Sequence, residues 1–321
     1  MAFHRGSGKN SKPLYFIRNG VRLAWPAGLL RRRLPHLLDE LETRPDREYI
    51  LSRVDYYNKL AEGAQLPPDE SSLLRDFRLR GNRSAYFFDS YEYTRWFTPS
   101  LRWHYVFGDV THVPEVPSVV KSRPIAGDNA NSVLLNLDKS RHFTFLNDTI
   151  PFREKADRAI FRGHINEKPH RRLFLEMYHG HPMVDAAIIS PLPEYPAEWA
   201  QEPISLWKHL DHKFILAIEG NDVASNLKWV MSSNSIAVMP RPTYETWFME
   251  GTLIPDYHYV EIKKDYSDLI ERINHYIAHP EEAQAIARNA HEYIRQFRDP
   301  RRERLISLLV LEKYFRATGQ I

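Results

Sequence analysis

The chain has 321 residues, of which 43% are hydrophobic, a formal net charge of +3 and no cysteine. The lack of cysteine excludes disulfide bonds and thiolate metal sites and fits a reducing compartment. No apolar run approaches the roughly 20 residues of a spanning helix, and the N-terminus lacks a signal-peptide core, so we expect a cytoplasmic protein with two domains.

The basic residues concentrate near the N-terminus. Residues 1–54 contain 11 Lys or Arg and 5 Asp or Glu, and the densest part is Arg31-Arg32-Arg33, within an amphipathic helix predicted over residues 27–41. Such a helix can rest on anionic lipid headgroups, or it can turn its leucines to a core and leave an arginine edge in solvent. Nothing resembles a nucleic-acid-binding motif, so we expect no nucleic-acid partner.

The first 150 residues predict a less regular α/β domain. A second helix is expected over residues 47–60, and a strand and a helix within residues 84–97. Strands are expected over 104–110 and 132–137, and the prolines of 113–124 indicate a long loop.

Asp109 ends the first of these strands, after Gly108 and before the proline-rich loop. A carboxylate in that position can take a proton from an attacking hydroxyl group within about 3 Å. The alternative is a turn aspartate that only caps its own loop.

From residue 156 onward, short apolar runs alternate with helical patterns. Strict alternation predicts a parallel sheet covered by helices, with ligands at the carboxyl ends of the strands. The predicted strands span residues 159–163, 183–190, 213–220, 235–240 and 258–263. The short helices predicted between them span residues 169–178, 203–212, 222–231 and 244–251.

A polar corner, Glu219-Gly220-Asn221-Asp222, follows the third of these strands. A helix beginning near Asp222 would present free N–H groups and the positive end of its dipole, and Gly220 would let a phosphate approach the backbone. Lys228 could face the same anion or solvent. The alternative is an ordinary turn capped by Asn221 or Asp222. Neither G-x-G-x-x-G nor a P-loop occurs, which disfavours a nicotinamide oxidoreductase.

Several further cations lie near predicted strand ends, where they could converge on a diphosphate. In the second domain they are Arg162, beside Gly163, and Arg171; taken singly, each is more typical of an ordinary surface residue. The histidines show no metal-ligand spacing and no Asp-x-Asp triplet occurs, so we expect no catalytic metal. The cations of the first domain are Lys121, Arg123, Lys139 and Arg141.

Three helices are expected after the sheet. The first begins after Ser267, and the second begins at Pro280 with two acidic residues in its first turn. The third, over residues 303–315, is apolar enough to pack on two surfaces and to cross back to the first domain. We therefore predict domains over residues 1–155 and 156–300, and a crossing helix over 301–321.

A phosphate corner on one domain and a lone base on the other describe a sugar-nucleotide transferase. The sequence also resembles the family 90 glycosyltransferases, which include fungal xylosyltransferases, animal protein O-glucosyltransferases and, most similar, bacterial lipopolysaccharide core enzymes. The resembling tracts lie between residues 100 and 297. They are GDVTHVPEVPSVVKSRPI, KADRAIFRG, KFILAIEGNDVASNLKWVMSSNSIAVM, YETWFMEGTLIPDYHYVEIKKDYSDL and EEAQAIARNAHEYI.

The resemblance implies an α/β fold of the GT-B type, with two Rossmann-like domains facing a cleft. It implies inversion at the transferred sugar and a UDP-sugar donor, with no metal or other cofactor. Asp109 matches the family's catalytic base, although Val110-Thr111 replaces the Tyr-Pro of animal members.

The resemblance also implies a donor site in the second domain. An arginine of animal members is missing near Asn226, which leaves Lys228 or backbone N–H groups to anchor the phosphate. Glu245 is implied to bind a donor hydroxyl. The full set implied for the donor is Arg162, Gly163, Arg171, Gly220, Asn221, Asp222, Ser225, Asn226, Lys228 and Glu245.

We therefore expect transfer of a sugar from a UDP-sugar to a hydroxyl group of a lipopolysaccharide core oligosaccharide or a related surface glycan. That lipid-linked acceptor would lie at the inner face of the cytoplasmic membrane, where the basic N-terminal helix could make a peripheral contact. The first-domain cations would contact the acceptor or a phosphate. The alternative is a non-catalytic nucleotide-sugar-binding protein of the same fold.

Overall fold

The computed structural model describes residues 11–79, 84–165 and 167–321. Its α-helices are α1 (Lys12–Ala24), α2 (Ala27–Asp39), α3 (Arg47–Tyr57), α4 (Ser84–Thr94), α5 (Lys139–His142), α6 (Pro169–Tyr178), α7 (Leu206–His209), α8 (Leu227–Val230), α9 (Leu269–Ala278), α10 (Pro280–Arg295) and α11 (Pro300–Ala317). Its strands are β1 (Ser72–Leu73), β2 (Arg102–Val106), β3 (Ser118–Val120), β4 (Ser122–Pro124), β5 (Ser132–Leu134), β6 (Ala156–Gly163), β7 (Val184–Ile188), β8 (His212–Leu216), β9 (Ile236–Met239), β10 (Tyr244–Thr246) and β11 (Val260–Glu261). Short 3-10 helices cover Glu40–Thr43, Leu74–Asp76, Phe152–Glu154, Ala197–Trp199 and Glu250–Thr252.

The described residues form two compact units. The N-terminal unit comprises residues 11–140, 243–251 and 297–321, and the central unit comprises residues 141–242 and 252–296. The chain returns to the N-terminal unit twice, once with β10 and once with α11. Both units mix helices with parallel strands, which confirms the α/β class predicted from the sequence.

Five parallel strands form the sheet of the central unit, in the order β11-β9-β8-β6-β7. Their inner residues, such as Ile160, Phe214 and Val238, are fully buried. These runs are apolar because helices cover both faces of such a sheet. The five strands predicted between residues 159 and 263 are therefore confirmed.

The strand order of this sheet reverses between β6 and β8. Helix α6 leads from β6 to β7 on one side, whereas β8 pairs with β6 on the other side. In open α/β sheets, the crevice outside the carboxyl ends at such a switch point is the usual ligand site.

Helices α9 and α10 complete the core of the central unit. Helix α10 begins at Pro280 with Glu281 and Glu282 in its first turn, as predicted, because proline and acidic residues suit a helix start. Its face of Ala283 and Ile286 packs into the same core as Ile273 of α9. Burial of each large aliphatic side chain contributes about 1.5 to 3 kcal/mol.

The N-terminal unit contains a four-stranded sheet in the order β1-β2-β3-β5. Strands β2, β3 and β5 are parallel, and β1 is antiparallel at the edge. Helix α11 packs against α2, α3 and α4 of this unit. Among the described helices, none combines the length and apolar character that crossing a bilayer requires.

Three local predictions for this unit are wrong. The loop expected over 113–124 contains β3 and β4, and the strand expected within 84–97 is absent there because α4 begins at Ser84. The helix expected over 244–251 is instead strand β10, which pairs antiparallel with β4. Residues 244–246 form a strand because they pair with β4, which lies more than a hundred residues earlier in the sequence, and this pairing overrides their local helix propensity.

Candidate active site

Arg171 lies at the switch point of the central sheet. It belongs to the first turn of α6, soon after β6. Its guanidinium donates hydrogen bonds to the carbonyl oxygens of His164 at 2.7 Å, Ile218 at 2.7 Å and Glu219 at 2.8 Å. The side chain therefore links the loops that follow β6 and β8.

The charge of Arg171 is held by carbonyl dipoles, and no carboxylate of the described residues forms an ion pair with it. Burial lowers the pKa of Arg171 to about 10, against weaker opposing effects of Tyr266 and Glu219, so the group stays protonated at neutral pH. A guanidinium carries five N–H groups, so three bonds leave one on each terminal nitrogen. N–H groups on both terminal nitrogens can donate to the oxygens of a phosphate or diphosphate.

Two glycines leave room around this guanidinium. A Cβ atom on Gly163 would lie 3.0 Å from the Phe161 ring and 3.5 Å from Nη1 of Arg171, and one on Gly220 would lie 3.4 Å from Nη2. The Phe161 ring also lies 5.7 Å from the guanidinium, within range of a cation–π interaction. The structure therefore brings Gly163, Arg171 and Gly220 together at one corner.

His170 also supports this corner, although its spacing from other residues in the sequence indicates no functional role. Its Nε2–H group donates to the carbonyl oxygen of Glu219 at 2.8 Å, which fixes the tautomer. Burial lowers the pKa of His170 and so favours the neutral ring. The Glu219 carbonyl thus accepts from two consecutive residues of α6.

The helix predicted to begin near Asp222 begins at Leu227 instead. Helix α8 has four residues, and an irregular loop occupies residues 217–226. Asn226 closes that loop, because its Nδ2 donates to the carbonyl oxygen of Leu216 at 2.9 Å. One helical turn has little dipole of its own, so the helix start predicted near Asp222 is wrong, and phosphate binding by residues 220–228 stays a prediction.

The other predicted donor residues of this loop differ in exposure. Asn221 and Ser225 are exposed, whereas Asp222 is 3% exposed and Lys228 is fully buried. A ligand can therefore reach Asn221 and Ser225 from solvent. The Lys228 ammonium lies away from the surface at which the sequence predicted it to meet an anion.

The guanidinium of Arg162 is bonded to neighbouring residues of the central unit. It donates to the carbonyl of Asp185 on β7 at 2.8 Å, to the Asp185 carboxylate at 2.8 Å and to the side chain of Gln201 at 2.7 Å. These bonds tie β6 to β7. The diphosphate contact predicted for Arg162 would therefore compete with an existing ion pair.

Asp109 lies at the carboxyl edge of the parallel sheet in the N-terminal unit. It follows β2 after Gly108, whose φ of 124° favours glycine, and its side chain is 22% exposed. Its carboxylate forms an ion pair with the ammonium of Lys121, which follows the neighbouring strand β3 and is 1% exposed. A partly exposed carboxylate fixed by a buried cation is suited to take a proton from a ligand.

Ser122 stabilises the turn that contains Asp109. Its hydroxyl accepts from the N–H of Val110 at 3.1 Å and donates to the carbonyl of the same residue at 3.0 Å. The residue after the carboxylate is thus anchored to the start of β4. Lys121, predicted to contact an acceptor or a phosphate, instead positions the carboxylate in this structure.

Arg123 and Glu245 form a buried ion pair in the N-terminal unit. Arg123 Nε lies 2.8 Å from Glu245 Oε1, and its other nitrogens donate to the carbonyls of Tyr56, Tyr57 and Ser132. The Tyr56 hydroxyl donates to the second Glu245 oxygen. Both members are at most 1% exposed. These contacts indicate a structural pair that joins β4 to β10, rather than the predicted ligand contacts, and they place Glu245 outside the central unit.

The two remaining cations predicted near a ligand also differ in environment. Lys139 forms ion pairs with Glu92 at 2.6 Å and Asp89 at 3.6 Å. Burial lowers the pKa of Lys139, but Tyr93 and these two acids together outweigh that effect and raise the pKa overall. Its ammonium thus anchors α5 to α4. Arg141 is exposed at the start of the central unit.

One group of described side chains has the composition of a metal site. The ligand atoms of His275, His279 and Glu282 lie within 4.8 Å of one another at the exposed junction of α9 and α10. His275 Nε2 lies 2.9 Å from Glu282, and the two imidazole rings stack. Two imidazoles and a carboxylate can ligate a divalent cation, but exposed groups of this kind are also ordinary surface pairs.

Several known proteins are similar in sequence to this chain, over its central residues or over nearly its whole length. The model of the family described as Glycosyl transferase family 90 matches residues 138–300. The chain is 41% identical over 306 residues to O-glucosyltransferase LpsA of Dichelobacter nodosus, which covers 94% of each chain. It is 27% identical over 164 residues to Protein O-glucosyltransferase 3 of Homo sapiens and of Rattus norvegicus, which covers 50% of this chain and 32% of theirs.

These matches confirm the resemblance inferred from the tracts between residues 100 and 297. The family match includes β6, Arg171 and the corner at Gly220, and the bacterial relative extends the similarity over nearly the whole chain. The chain is a glycosyltransferase and belongs to glycosyl transferase family 90.

Proposed function

We propose that this glycosyltransferase moves glucose from UDP-glucose to a hydroxyl group of a lipopolysaccharide core oligosaccharide or a related surface glycan. The names of its relatives, which are O-glucosyltransferases, support the choice of glucose and of an oxygen acceptor. The resemblance to bacterial lipopolysaccharide core enzymes supports the acceptor class. The architecture is proposed to be GT-B, with the donor on the central unit and the acceptor on the N-terminal unit.

The observation that carries the donor proposal is the environment of Arg171. A protonated guanidinium with two remaining N–H groups, set among main-chain carbonyls at a switch point, favours an anionic ligand. In the proposal, the diphosphate of the donor accepts from these N–H groups. Asn221 and Ser225, both exposed on the following loop, supply further polar contacts.

Arg171 also assists departure of the UDP leaving group. Negative charge develops on the β-phosphate oxygen as the bond to the anomeric carbon breaks, and a positioned cation stabilises that charge more in the transition state than in the ground state. The role needs no metal ion, which agrees with the lack of an Asp-x-Asp triplet in the sequence.

Asp109 is the base of the proposed reaction. Its carboxylate takes the proton of the acceptor hydroxyl as that oxygen forms a bond to the anomeric carbon, while the bond from that carbon to UDP breaks on the opposite face. One displacement inverts the configuration, so an α-linked donor yields a β-linked product. Lys121 keeps the carboxylate oriented and is a positioning residue.

The experiment compares sugar transfer and UDP binding in Asp109→Asn with the wild type. Purified protein is incubated with UDP-glucose, UDP-galactose, UDP-xylose or UDP-N-acetylglucosamine and a core oligosaccharide in EDTA, and the product anomer is assigned by NMR. Asp109→Asn should abolish transfer and leave the UDP-induced thermal shift intact. Asp128→Asn, at an exposed turn of the same unit, is the matched control.

Each element of the proposal has its own contradicting result. Substantial turnover in Asp109→Asn would remove that residue from the role of base, and a retained anomer would exclude single displacement. Activity that disappears in EDTA and returns with a divalent cation would exclude the metal-independent route.

A further inference from the structure

Helix α1 exposes an unusual concentration of apolar side chains. Of the 13 large hydrophobic side chains exposed among the described residues, seven fall between residues 14 and 29. Leu14, Ile17 and Val21 are 64 to 65% exposed and share one face of the helix, because their spacing of three and four residues matches the helical period. Trp25, directly after the helix, is 59% exposed.

The polar side of α1 faces the protein instead. The Tyr15 hydroxyl donates to Asp89 at 2.9 Å, and Arg22 forms an ion pair with Glu92 at 2.7 Å, so the helix attaches to α4 through these side chains. Asn19 lies between them and is 2% exposed. An ordinary surface helix buries its apolar side and exposes its polar side, and α1 does the reverse.

The first 38 residues of the sequence, which include α1, carry charges of one sign. Residues 1–38 contain eight Lys or Arg and no Asp or Glu, and the first acidic residue is Asp39. Arg18, on α1 itself, is exposed, and Arg31 to Arg33 follow on α2. Basic residues near an anionic bilayer surface are attracted to it.

A pocket next to this face adds to the positive charge. It has a volume of about 410 Å³ and is lined by Trp25 and four arginines, Arg22, Arg33, Arg95 and Arg304, together with two acidic residues, Glu40 and Glu92, of which Glu92 is paired with Arg22. The two terminal nitrogens of Arg95 donate hydrogen bonds to the carbonyl oxygens of Arg22 and Trp25. Its Nε is buried and has no hydrogen-bond partner among the described residues. Arg33 and Arg304 form no ion pair with a carboxylate of the described residues. The pocket therefore suits the phosphate of a lipid headgroup.

We infer that α1 is an interfacial helix that docks the protein on an anionic phospholipid bilayer, with Leu14, Ile17, Val21 and Trp25 inserted between headgroups. An outward apolar stripe, a tryptophan at its end and a basic surround are the features of helices that lie in the plane of the interface. The sequence pattern pointed to the basic helix over 27–41, whereas the structure assigns the inserting face to α1 and leaves the arginines of α2 beside it. This inference does not depend on the proposed donor or base.

The test is sedimentation of the full-length protein with vesicles. Wild-type protein should bind phosphatidylglycerol–phosphatidylethanolamine vesicles and bind phosphatidylcholine vesicles weakly. The triple variant Leu14→Ser, Ile17→Ser, Val21→Ser should lose affinity by about tenfold or more, since each apolar side chain withdrawn from water stabilises the bound state. Its matched control is Leu79→Ser, Ile254→Ser, Ile321→Ser, which alters side chains of similar exposure elsewhere and should bind as the wild type does.

Two further measurements separate the outcomes. Circular dichroism and the UDP-induced thermal shift of the triple variant should equal those of the wild type, which distinguishes loss of the membrane face from loss of the fold or of donor binding. Equal vesicle binding by the triple variant and the wild type would overturn the inference. So would light scattering that shows a wild-type dimer, a monomeric triple variant and no vesicle binding by either, because the face would then join two copies of the chain.

Discussion

Replacement of Arg171 by methionine tests the proposed donor site most directly. Methionine keeps the unbranched stem on α6 but removes the charge and the N–H groups that would meet a diphosphate. A hydrogen bond to a charged group contributes about 1.5 to 3 kcal/mol, and two such bonds in one partly exposed ligand contact give about 2 to 3 kcal/mol. The dissociation constant for UDP should therefore rise by roughly 30-fold to 150-fold.

The same substitution has a calculable effect on stability. Three carbonyl oxygens lose a donor, but that of Glu219 keeps the bond from His170 at 2.8 Å. Two carbonyls, those of His164 and Ile218, are left to water, at about 1 kcal/mol each. A loss of about 2 kcal/mol in the free energy of unfolding should leave the variant folded.

The matched control for this prediction is the adjacent arginine. Arg172 belongs to the same turn of α6, but its side chain is 58% exposed and forms an ordinary pair with Glu176. Calorimetric titration with UDP should give wild-type affinity for Arg172→Met and the weakened affinity only for Arg171→Met. Equal UDP affinities for the two variants would refute the assignment of Arg171 and the position of the diphosphate with it.

The remaining predictions concern stability. Gly251→Ala should lower the free energy of unfolding by about 1 to 3 kcal/mol in a urea titration, because its Cβ would lie 2.7 Å from Glu245 Oε2, whereas Gly28→Ala, in open space on α2, should raise it by up to about 1 kcal/mol. A neutral effect at Gly251 would mean that the surrounding ion pair can shift. Burial lowers the pKa of His170 below its ordinary value of 6.5, so the unfolded chain binds the proton more readily and stability should fall as pH drops through that region. His170→Gln, which keeps an N–H donor, should flatten this dependence, and an unchanged slope would contradict the assigned cause.

The sheet of the central unit was predictable because its information is local. Runs such as residues 213–216 are apolar over the length of a strand and alternate with helical patterns, so periodicity alone identifies them. Parallel order and the position of ligands at the carboxyl ends then follow from general rules of connection. Arg171 became a candidate by the same route, since it follows the first strand.

The errors occurred where distant residues decide the structure. Strand β10 pairs with β4, and its Glu245 forms an ion pair with Arg123, which lies 122 residues earlier in the chain. The local sequence YETWFMEG does not indicate this distant partner. The loop before α8 is longer than its helical pattern suggested, because Asn226 bonds back to Leu216 instead of continuing a helix from Asp222. No local pattern encodes either bond.

The assignment of cations shows a related limit. A lysine that follows a predicted strand is expected at the edge of the sheet, and Lys121 lies there. Its partner in the structure is the carboxylate of Asp109. Helix α1 was not predicted from the sequence, and its amphipathic character alone does not state which face meets the protein. Only the bonds of Tyr15 and Arg22 to α4 decide that the polar face does.

The two units carry opposite charges at the carboxyl edges of their parallel sheets. The central unit presents the guanidinium of Arg171, held by carbonyl oxygens, and the N-terminal unit presents the carboxylate of Asp109, held by Lys121. In the proposed reaction, the cation stabilises the leaving phosphate and the carboxylate accepts a proton, so the two residues have separate roles. If this division is correct, substitutions at Arg171 should weaken UDP binding and those at Asp109 should reduce turnover alone. A variant of Asp109 that loses UDP affinity as strongly as Arg171→Met would therefore count against separate roles for the two edges.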